Sequence, residues 1–214
     1  MKYKGIIFDL DGVICSTDEY HYQAWKALAD RIGAKGFGRE DNARQRGVSR
    51  MESLEVVLEK APRNYTDEEK REMAEWKNDT YRKLLSNMSP ADLSDEVRTT
   101  LETLRKRGLV MAIGSSSKNT PFILERIGLG DFFDAVSDGN NITHSKPDPE
   151  VFLMAAQYLD LVPKDCLVIE DAFSGIDAGI AGGFDTAAIG HATLYDKPTY
   201  KLTTFSDILR IVEE

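Results

Sequence analysis

Two aspartates near the start of the chain, Asp9 and Asp11, are the first residues whose type and spacing suggest chemistry. They follow the apolar run Ile6-Ile7-Phe8, which is typical of a buried strand, and Gly12 permits a sharp turn behind them. Residues two apart in an extended chain point the same way, so both carboxylates are predicted at the carboxyl end of a strand, where open α/β sheets bind ligands. Such close charges require a cation or a proton. The alternative is a pair of aspartates that only caps a loop.

Polar side chains also end two later strand-like runs and stand in one loop. Ser115 follows residues 109–113, Glu170-Asp171 follows residues 166–169, and Lys146 precedes a predicted helix. Singly, these residues are a helix cap, a turn and a solvated lysine. At one edge of a parallel sheet they would offer oxygen ligands to Mg²⁺, and a hydroxyl and an ammonium to one anion. The sequence has no paired His or Cys ligands, which argues against zinc.

The segment after the first loop is predicted to be helical. Residues 16–19, 49–52 and 66–69 have the S/T-x-x-E form of a capping box, and apolar residues at helical spacing follow each of them. Because no strand-like run separates these helices, residues 15–88 are predicted to form an inserted α-helical cap domain.

Strand-like and helical runs alternate from residue 89 onwards. The predicted strands are residues 109–113, 133–136, 166–169 and 186–189, and a closing helix is predicted over 205–212. This alternation predicts an α/β fold with a doubly wound parallel sheet and right-handed crossovers. The core domain is therefore expected to be discontinuous, made of residues 1–14 and 89–214.

Charge and composition exclude several classes of protein. The formal net charge is −9 with no basic run, which argues against a nucleic-acid surface. No stretch of about 18 apolar residues suggests a membrane span, and Asp9 and Asp11 interrupt the only apolar run that could resemble a signal peptide. Cys15 and Cys166 lie far apart without a CxxC partner, so reduced thiols in a cytoplasmic protein are expected.

On these motifs the chain resembles the haloacid dehalogenase superfamily of phosphotransferases, whose first motif is a hydrophobic run followed by D-x-D-G. The resemblance implies that Asp9 is the nucleophile that becomes an aspartyl phosphate and that Asp11 is the general acid/base, with its backbone carbonyl on the metal. It implies that Ser115 and Lys146 bind the transferring phosphoryl group. The Mg²⁺ ligands or supports that it implies are Asp9, Asp11, Glu170 and Asp171.

Elementary chemistry agrees with this assignment. A carboxylate attacks a phosphoryl group only when the repulsion between the two anions is cancelled, which Mg²⁺ and Lys146 would do. Dehalogenases of the superfamily use one aspartate and no metal, so Asp11 and the acidic pair favour phosphoryl transfer over cleavage of a carbon–halogen bond.

Within the superfamily, the predicted cap domain and its neighbourhood resemble the β-phosphoglucomutase family. The similar segments are residues 19–28, 46–50, 77–79, 89–92 and 117–119. That family isomerises β-D-glucose 1-phosphate and D-glucose 6-phosphate through an aspartyl-phosphate enzyme and a β-glucose 1,6-bisphosphate intermediate. The substrate-binding residues that the resemblance implies are His21, Trp25, Arg46, Gly47, Val48, Arg50, Lys77, Ser116, Ser117, Lys118 and Asn119.

A bisphosphate intermediate needs two anion sites. Arg50 and the run Ser117-Lys118-Asn119, which stands before a predicted helix, offer the second one. Two positions depart from the family: residue 46 is Arg instead of Lys, and residue 16 is Ser where Asp is frequent.

Three of the implied residues also have structural interpretations. Trp25 is a candidate for core packing, and His21, one helical turn away, is either a packing residue or a polar contact near Asp11. Lys77 is either a cap residue that reaches the site or a solvent-exposed helix lysine.

Two other functions remain open. The same site with water admitted would make a sugar-phosphate or phosphoglycolate phosphatase. A phospho-receiver domain also has acids and a lysine at strand ends, but it would lack the helical insertion, and its acceptor aspartate would not follow the first strand. The expected ligands are small sugar phosphates and Mg²⁺, and the protein is expected to be a monomer without membrane or nucleic-acid partners.

Overall fold

The computed structural model describes residues 1–45 and 48–213. The chain divides into two compact units: unit 1 comprises Met1–Ser16 and Ser89–Glu214, and unit 2 comprises Thr17–Met88. The insertion predicted from the sequence, residues 15–88, begins two residues before unit 2 and ends with it. Within the described ranges, no helix is long and apolar enough to cross a membrane.

Unit 1 is built on a parallel sheet, which confirms the predicted α/β fold. In the described part of the chain this sheet has six strands. They are β1 (Gly5–Phe8), β2 (Val110–Gly114), β3 (Ala135–Ser137), β4 (Cys166–Glu170), β5 (Asp185–Ala188) and β6 (Tyr200–Lys201), in the spatial order β3-β2-β1-β4-β5-β6. The two-residue edge strand β6 was not predicted, because so short a run carries no recognisable pattern.

Strand β1 lies in the middle of this sheet. Ile6 is paired with Met111 of β2 on one side and with Leu167 of β4 on the other. Ile7 and Phe8 are fully buried, as expected for a strand covered on both faces. The strand order reverses at β1, since β2 and β3 extend to one side and β4 to β6 to the other. The crevice at such a reversal, beyond the carboxyl ends of the strands, is where α/β sheets bind ligands.

Unit 2 is helical. Its helices are α1 (Asp18–Ile32), α2 (Arg39–Ala43), α3 (Arg50–Leu58) and α4 (Asp67–Leu85). A hydrophobic cluster that includes Trp25, Leu28, Leu54, Val57 and Ala74 joins α1, α3 and α4. This cluster is the apolar core that the amphipathic faces of the helices predicted.

Two of the three predicted capping boxes are confirmed. Ser49 and Thr66 cap α3 and α4, and each accepts a hydrogen bond from the backbone N–H of a glutamate three residues later. The box predicted at residues 16–19 is wrong: the N-cap is Thr17, and its side chain makes no capping bond. Its hydroxyl instead accepts a hydrogen bond of 2.9 Å from the Tyr81 hydroxyl, because the buried tyrosine needs a partner.

The helices of unit 1 pack on the sheet. They are α5 (Asp95–Lys106), α6 (Thr120–Arg126), α7 (Glu150–Tyr158), α8 (Phe173–Ala181) and α9 (Ile208–Ile211), with short 3₁₀ helices at Pro90–Asp92, Pro163–Asp165, Gly190–Leu194 and Phe205–Asp207. The predicted closing helix over 205–212 is therefore split into a 3₁₀ turn followed by the short α9. Phe152 of α7 packs against Ile7 and Val168 of the sheet.

Candidate active site

Strand β1 delivers Asp9 and Asp11 to the carboxyl edge of the sheet. The Asp9 backbone N–H donates to the Ile169 carbonyl at 3.0 Å, which continues the pairing of β1 with β4, and the Asp9 side chain is buried. Gly12 has a φ of +87°, and a Cβ built on it would lie 2.1 Å from Oδ2 of Asp171. Glycine is thus required twice here, for the backbone turn and for the close approach of the Asp171 carboxylate.

Lys146 connects the ends of β1 and β4. Its Nζ donates to Oδ1 of Asp9 at 2.5 Å and to Oε1 of Glu170 at 2.6 Å, and all three side chains are buried. The ammonium also lies 4.6 Å from the ring centroid of Phe152, and a cation–π interaction with this ring favours the charged form of the lysine. The structure therefore brings together the lysine and the acids that the sequence placed on different segments.

Glu170 is held from several sides. Its Oε2 accepts a hydrogen bond of 2.8 Å from the Ala172 N–H, while Oε1 is bound by Lys146. A Cβ on Gly175 would lie 1.9 Å from Oε1, so only glycine at that position of α8 leaves room for this carboxylate. Gly175 was missed from the sequence, where a glycine in the first turn of a helix gives no sign of a side chain packed against it.

The site has an excess of negative charge. Burial, followed by the neighbouring carboxylates of Glu170, Asp9 and Asp11, raises the pKa of Asp171 to about 8. Burial also raises the pKa of Asp9 to about 7, although Lys146 opposes the shift. For Lys146 itself burial acts to lower the pKa, but Asp9 and Glu170 outweigh it and raise the pKa above its usual range. Four carboxylates around one ammonium fit an additional hard cation with oxygen ligands, such as Mg²⁺.

The predicted phosphate ligands follow β2. Ser115 is buried, and its Oγ accepts a hydrogen bond of 3.2 Å from the backbone N–H of Ser117. The Oγ of Ser117 in turn accepts a hydrogen bond from the backbone N–H of Asn119. The Ser116 Oγ is buried without a hydrogen-bond partner among the described residues. A buried hydroxyl is expected to find a partner, so a bound ligand or water would satisfy it. Lys118 is exposed.

Arg50 and Asn78 form a polar pair within unit 2. Arg50 is the first residue of α3, and its Nη2 donates to Oδ1 of Asn78 on α4 at 2.9 Å. Burial lowers the pKa of Arg50, and the carboxylate of Glu75 opposes that shift. Asn78 lies in the similar segment 77–79 but was given no role of its own from the sequence, because its contact joins two residues 28 positions apart on different helices. Val48 is partly buried, whereas Arg46 and Gly47 lie outside the described residues.

The three residues with open interpretations lie close together in unit 2. Trp25 is part of the hydrophobic cluster, which favours packing. Lys77 is only 3% exposed, so the solvent-exposed alternative is wrong. Its Nζ lies 2.9 Å from Nδ1 of His21 and 4.4 Å and 4.6 Å from the ring centroids of Trp25 and Tyr81. A side chain in such surroundings has little freedom to reach toward a ligand.

Another group of possible metal ligands occurs on the loop around Lys146. His144, Asp148 and Glu150 each place one ligand atom within 4.8 Å of the others. However, Glu150 accepts hydrogen bonds from the backbone N–H groups of Thr143 and His144, and Asp148 accepts one from that of Glu150. These carboxylates serve to order the loop and the start of α7, as is usual for acids at helix N-termini.

Most of the chain is similar in sequence to two proteins whose names describe sugar-phosphate enzymes. It is 42% identical over 189 residues to β-phosphoglucomutase of Bacillus subtilis, an alignment that covers 87% of this chain and 83% of that protein. It is 30% identical to the fructose-1-phosphate phosphatase YqaB of Escherichia coli, over 88% of this chain and 97% of that protein.

Comparison with solved structures and with family models agrees with the sequence similarity. A crystal structure of β-phosphoglucomutase from Clostridium difficile superimposes with a TM-score of 0.91 at 33% identity, over 99% of this chain and 96% of that one. The family model for haloacid dehalogenase-like hydrolases matches residues 3–183, which include every residue assigned above to the ends of the strands. The resemblance inferred from the motifs is confirmed: the chain belongs to the haloacid dehalogenase-like hydrolase family.

Proposed function

We propose that this protein is a Mg²⁺-dependent phosphotransferase that isomerises β-D-glucose 1-phosphate and D-glucose 6-phosphate, with Asp9 as the residue that is phosphorylated. The observation that carries the proposal is the buried ammonium of Lys146 between the carboxylates of Asp9 and Glu170. A nucleophilic carboxylate beside a fixed cation is the arrangement that phosphoryl transfer requires.

Each residue has a defined part in this reaction. An oxygen of Asp9 attacks phosphorus, and the bond to the sugar oxygen breaks, so the phosphoryl group is held as an aspartyl phosphate. Lys146 neutralises charge on Asp9 and on the phosphoryl oxygens, and Glu170 keeps Lys146 in place. Asp11 gives a proton to the departing sugar oxygen and takes one from the sugar hydroxyl in the return step.

The metal would be held by the carboxylates of Asp9 and Asp171 and by the backbone carbonyl of Asp11. When bound, Mg²⁺ supplies positive charge that offsets the anionic phosphoryl group. Glu170 would act mainly through Lys146, because both of its oxygens already accept hydrogen bonds.

The transferase is favoured over a phosphatase for two reasons. Arg50 offers a planar fork of donors suited to a phosphate that is not being transferred, which a monophosphatase does not need. The chain is also more similar to the Bacillus β-phosphoglucomutase, at 42% identity, than to the Escherichia phosphatase, at 30%. A sugar-phosphate phosphatase is the competing function, and relatives with that name make it a real alternative.

Phosphorus NMR separates the two functions in one experiment. The protein is mixed with β-glucose 1-phosphate, Mg²⁺ and a trace of β-glucose 1,6-bisphosphate, and the signals are followed over time. The proposal predicts that the β-glucose 1-phosphate signal is replaced by that of glucose 6-phosphate while little inorganic phosphate appears. Release of inorganic phosphate as the main product would identify a phosphatase instead.

A further inference from the structure

The loop that follows β2 lies against the turn that follows β3. We name residues 115–119 the anion loop, because they include the predicted phosphate ligands, and residues 138–141 the bracing turn. Since β2 and β3 are neighbouring parallel strands, both segments begin at the same edge of the sheet. The contact starts where the strands end, with a hydrogen bond of 3.0 Å from the Ser115 backbone N–H to the Ser137 carbonyl.

Two further hydrogen bonds join the bracing turn to the anion loop. The Gly139 N–H donates to the Ser117 carbonyl at 3.3 Å, and Nδ2 of Asn140 donates to the Lys118 carbonyl at 3.0 Å. The Ser117 carbonyl also accepts a hydrogen bond of 2.8 Å from the Thr120 hydroxyl. Two consecutive carbonyls of the anion loop are therefore held by donors that lie outside the loop.

The bracing turn is held in shape by its own side chains. Asp138 is buried, and its Oδ1 accepts a hydrogen bond of 2.8 Å from the Asn140 N–H, which makes an Asx turn. The Asp138 N–H donates to Oδ1 of Asn141 at 2.7 Å, and Nδ2 of Asn141 donates to the Tyr158 hydroxyl of α7 at 3.1 Å. Because the turn is fixed both internally and to α7, it can support the neighbouring loop.

Gly139 is the point of closest approach between the two segments. A Cβ built on Gly139 would lie 2.5 Å from the Ser116 carbonyl oxygen and 2.9 Å from both the backbone nitrogen and Cγ of Lys118. Two of these three atoms belong to the backbone, so a larger residue at position 139 would displace the anion loop itself. The φ of Gly139 is not positive, so glycine is required here for space and not for a left-handed backbone.

These contacts fix Lys118 on both sides of its Cα. Its backbone nitrogen lies against Gly139, and its carbonyl is bound by Asn140. The side chain of a lysine is a flexible stem with a point charge at its end, so the backbone decides which region the ammonium can reach. Ser116, whose carbonyl lies against Gly139, carries the buried hydroxyl without a partner among the described residues. That hydroxyl is a second sign that a ligand binds at this loop.

We propose that Gly139 and Asn140 are positioning residues that fix the backbone of residues 116–118, and that they thereby place Lys118 at the phosphate that is not being transferred. They act through the anion loop, without contact to the substrate. The statement that Lys118 binds this phosphate rests on the function proposed above. Ser115 is held separately, through Ser137 at the strand ends, so a displaced bracing turn should affect the second phosphate more than the transferring group.

Amide hydrogen exchange, measured by NMR, tests the contact without reference to activity. The N–H groups of Ser117 and Asn119 form the bonds inside the anion loop, and Gly139→Ala should speed their exchange about tenfold or more, because the loop loses its support. Gly130→Ala is the control, since the nearest atom to its built Cβ is Cα of Glu125 at 3.7 Å, an ordinary contact. Exchange at both amides that is as slow in Gly139→Ala as in the control would overturn the proposal.

Two reactions separate the second phosphate from the transferring group. Gly139→Ala should raise the KM for β-glucose 1-phosphate about ten- to a hundredfold, the effect of one lost hydrogen bond to a charged group, with a smaller change in kcat. Asn140→Ala should raise the same KM about three- to tenfold, as expected for one neutral hydrogen bond. Phosphorylation of Asp9 by acetyl phosphate should stay within about threefold of the wild-type rate in both variants. Equal losses in the two reactions would overturn the proposal.

A double-mutant cycle shows whether Gly139 acts through Lys118. Lys118→Met removes the ammonium, so adding Gly139→Ala to this variant should raise the KM by less than about threefold more. Losses that multiply in full would overturn the assignment of Gly139 to Lys118. A wild-type protein that does not isomerise glucose phosphates would contradict the proposed function, while amide exchange would still decide whether the bracing turn positions the anion loop.

Discussion

In unit 1, the ammonium nitrogen of Lys146 lies 2.5 Å from Oδ1 of Asp9. Lys146 comes from a loop 137 residues away in the sequence, and Glu170 holds it from the other side at 2.6 Å. This cation is the partner of two buried carboxylates at once. Removal of one partner from a buried ion pair leaves an uncompensated charge, which is costly in a medium that solvates charge poorly.

We therefore expect Lys146→Met to destabilise the protein as well as inactivate it. At about pH 8 in metal-free buffer, the free energy of unfolding should fall by about 3–5 kcal/mol, as measured by urea denaturation. The double variant Lys146→Met/Glu170→Gln should recover part of this loss, since fewer charges remain unpaired. Lys164→Met, at an exposed position, is the control and should change stability by less than about 0.5 kcal/mol. A loss of less than about 0.5 kcal/mol for Lys146→Met would contradict the conclusion that Lys146 neutralises two buried carboxylates.

The tight packing of Gly12 against Asp171 gives a second prediction. Gly12→Ala would place a methyl group where Oδ2 of Asp171 lies, so the carboxylate must move and Mg²⁺ binding should weaken. The matched control is Gly108→Ala, since Gly108 has a similar φ of +83° but no atom within 4 Å of its built Cβ. Both variants should lose about 1–2 kcal/mol of stability from the left-handed backbone. Only Gly12→Ala should require more Mg²⁺ in a titration of activity. Identical Mg²⁺ requirements would show that Asp171 does not depend on this contact.

The raised pKa of Asp171 predicts how stability depends on pH. Burial raises this pKa from 3.8 to about 8, so between these values the folded protein holds a proton that the unfolded chain has lost. The stabilising contribution is complete below pH 3.8 and is lost as the pH rises through 8, with a slope of up to about 1.4 kcal/mol per pH unit. Asp9 acts in the same direction up to about pH 7.

Mg²⁺ should reverse this trend, because it binds the ionised carboxylates and only the folded protein has the site. We expect the stabilisation by Mg²⁺, measured by thermal unfolding, to grow between about pH 5 and about pH 8. Asp171→Asn should remove most of that growth and part of the metal-free slope. If wild type and Asp171→Asn have the same pH dependence with and without Mg²⁺, Asp171 is not a metal ligand.

Much of the site in unit 1 could be predicted because strand ends carry a local signal. Asp9, Ser115 and Glu170 each follow an apolar run, and parallel strands bring their carboxyl ends to one edge. The burial of Lys77 could not be predicted in this way. A lysine in a polar helix is expected in water, and the rings of Trp25 and Tyr81 that receive its charge are non-local features of the folded cluster.

Two other kinds of feature could not be predicted from the sequence: a glycine that makes room for a neighbouring side chain, and polar contacts between residues far apart in the chain. Gly175 makes room for Glu170, but its need for a missing side chain becomes visible only when the neighbouring atoms are in place. Thr17 has the pattern of a capping residue, yet its hydroxyl serves Tyr81, because a tertiary partner competes with the local cap. The contact between Arg50 and Asn78 likewise depends on how α3 and α4 pack.

Arg50 supplies the prediction that separates transferase from phosphatase. If Arg50 binds the phosphate that is not transferred, Arg50→Ala should lower isomerisation by a hundredfold or more, equivalent to a lost charge-assisted contact of about 3 kcal/mol. Phosphorylation of Asp9 by acetyl phosphate should survive, because that small donor has one phosphate. Arg44→Ala removes an exposed arginine paired with Glu59 and serves as the control. If Arg50→Ala slows isomerisation and phosphorylation by acetyl phosphate equally, Arg50 contacts the transferring group or the variant is misfolded. If it slows neither reaction, this reason for preferring the transferase is removed.

Phosphorylation of Asp9 is the central claim, and intact-protein mass spectrometry after acid quenching of a reaction with acetyl phosphate and Mg²⁺ tests it most directly. The wild type should gain the mass of one phosphoryl group, which peptide mapping should locate at Asp9. Asp9→Asn is nearly isosteric, so it should remain folded, gain no phosphoryl group and lose isomerase activity. An Asp9→Asn variant that is still phosphorylated, or that keeps activity within about tenfold (~1.4 kcal/mol of barrier), would contradict the account.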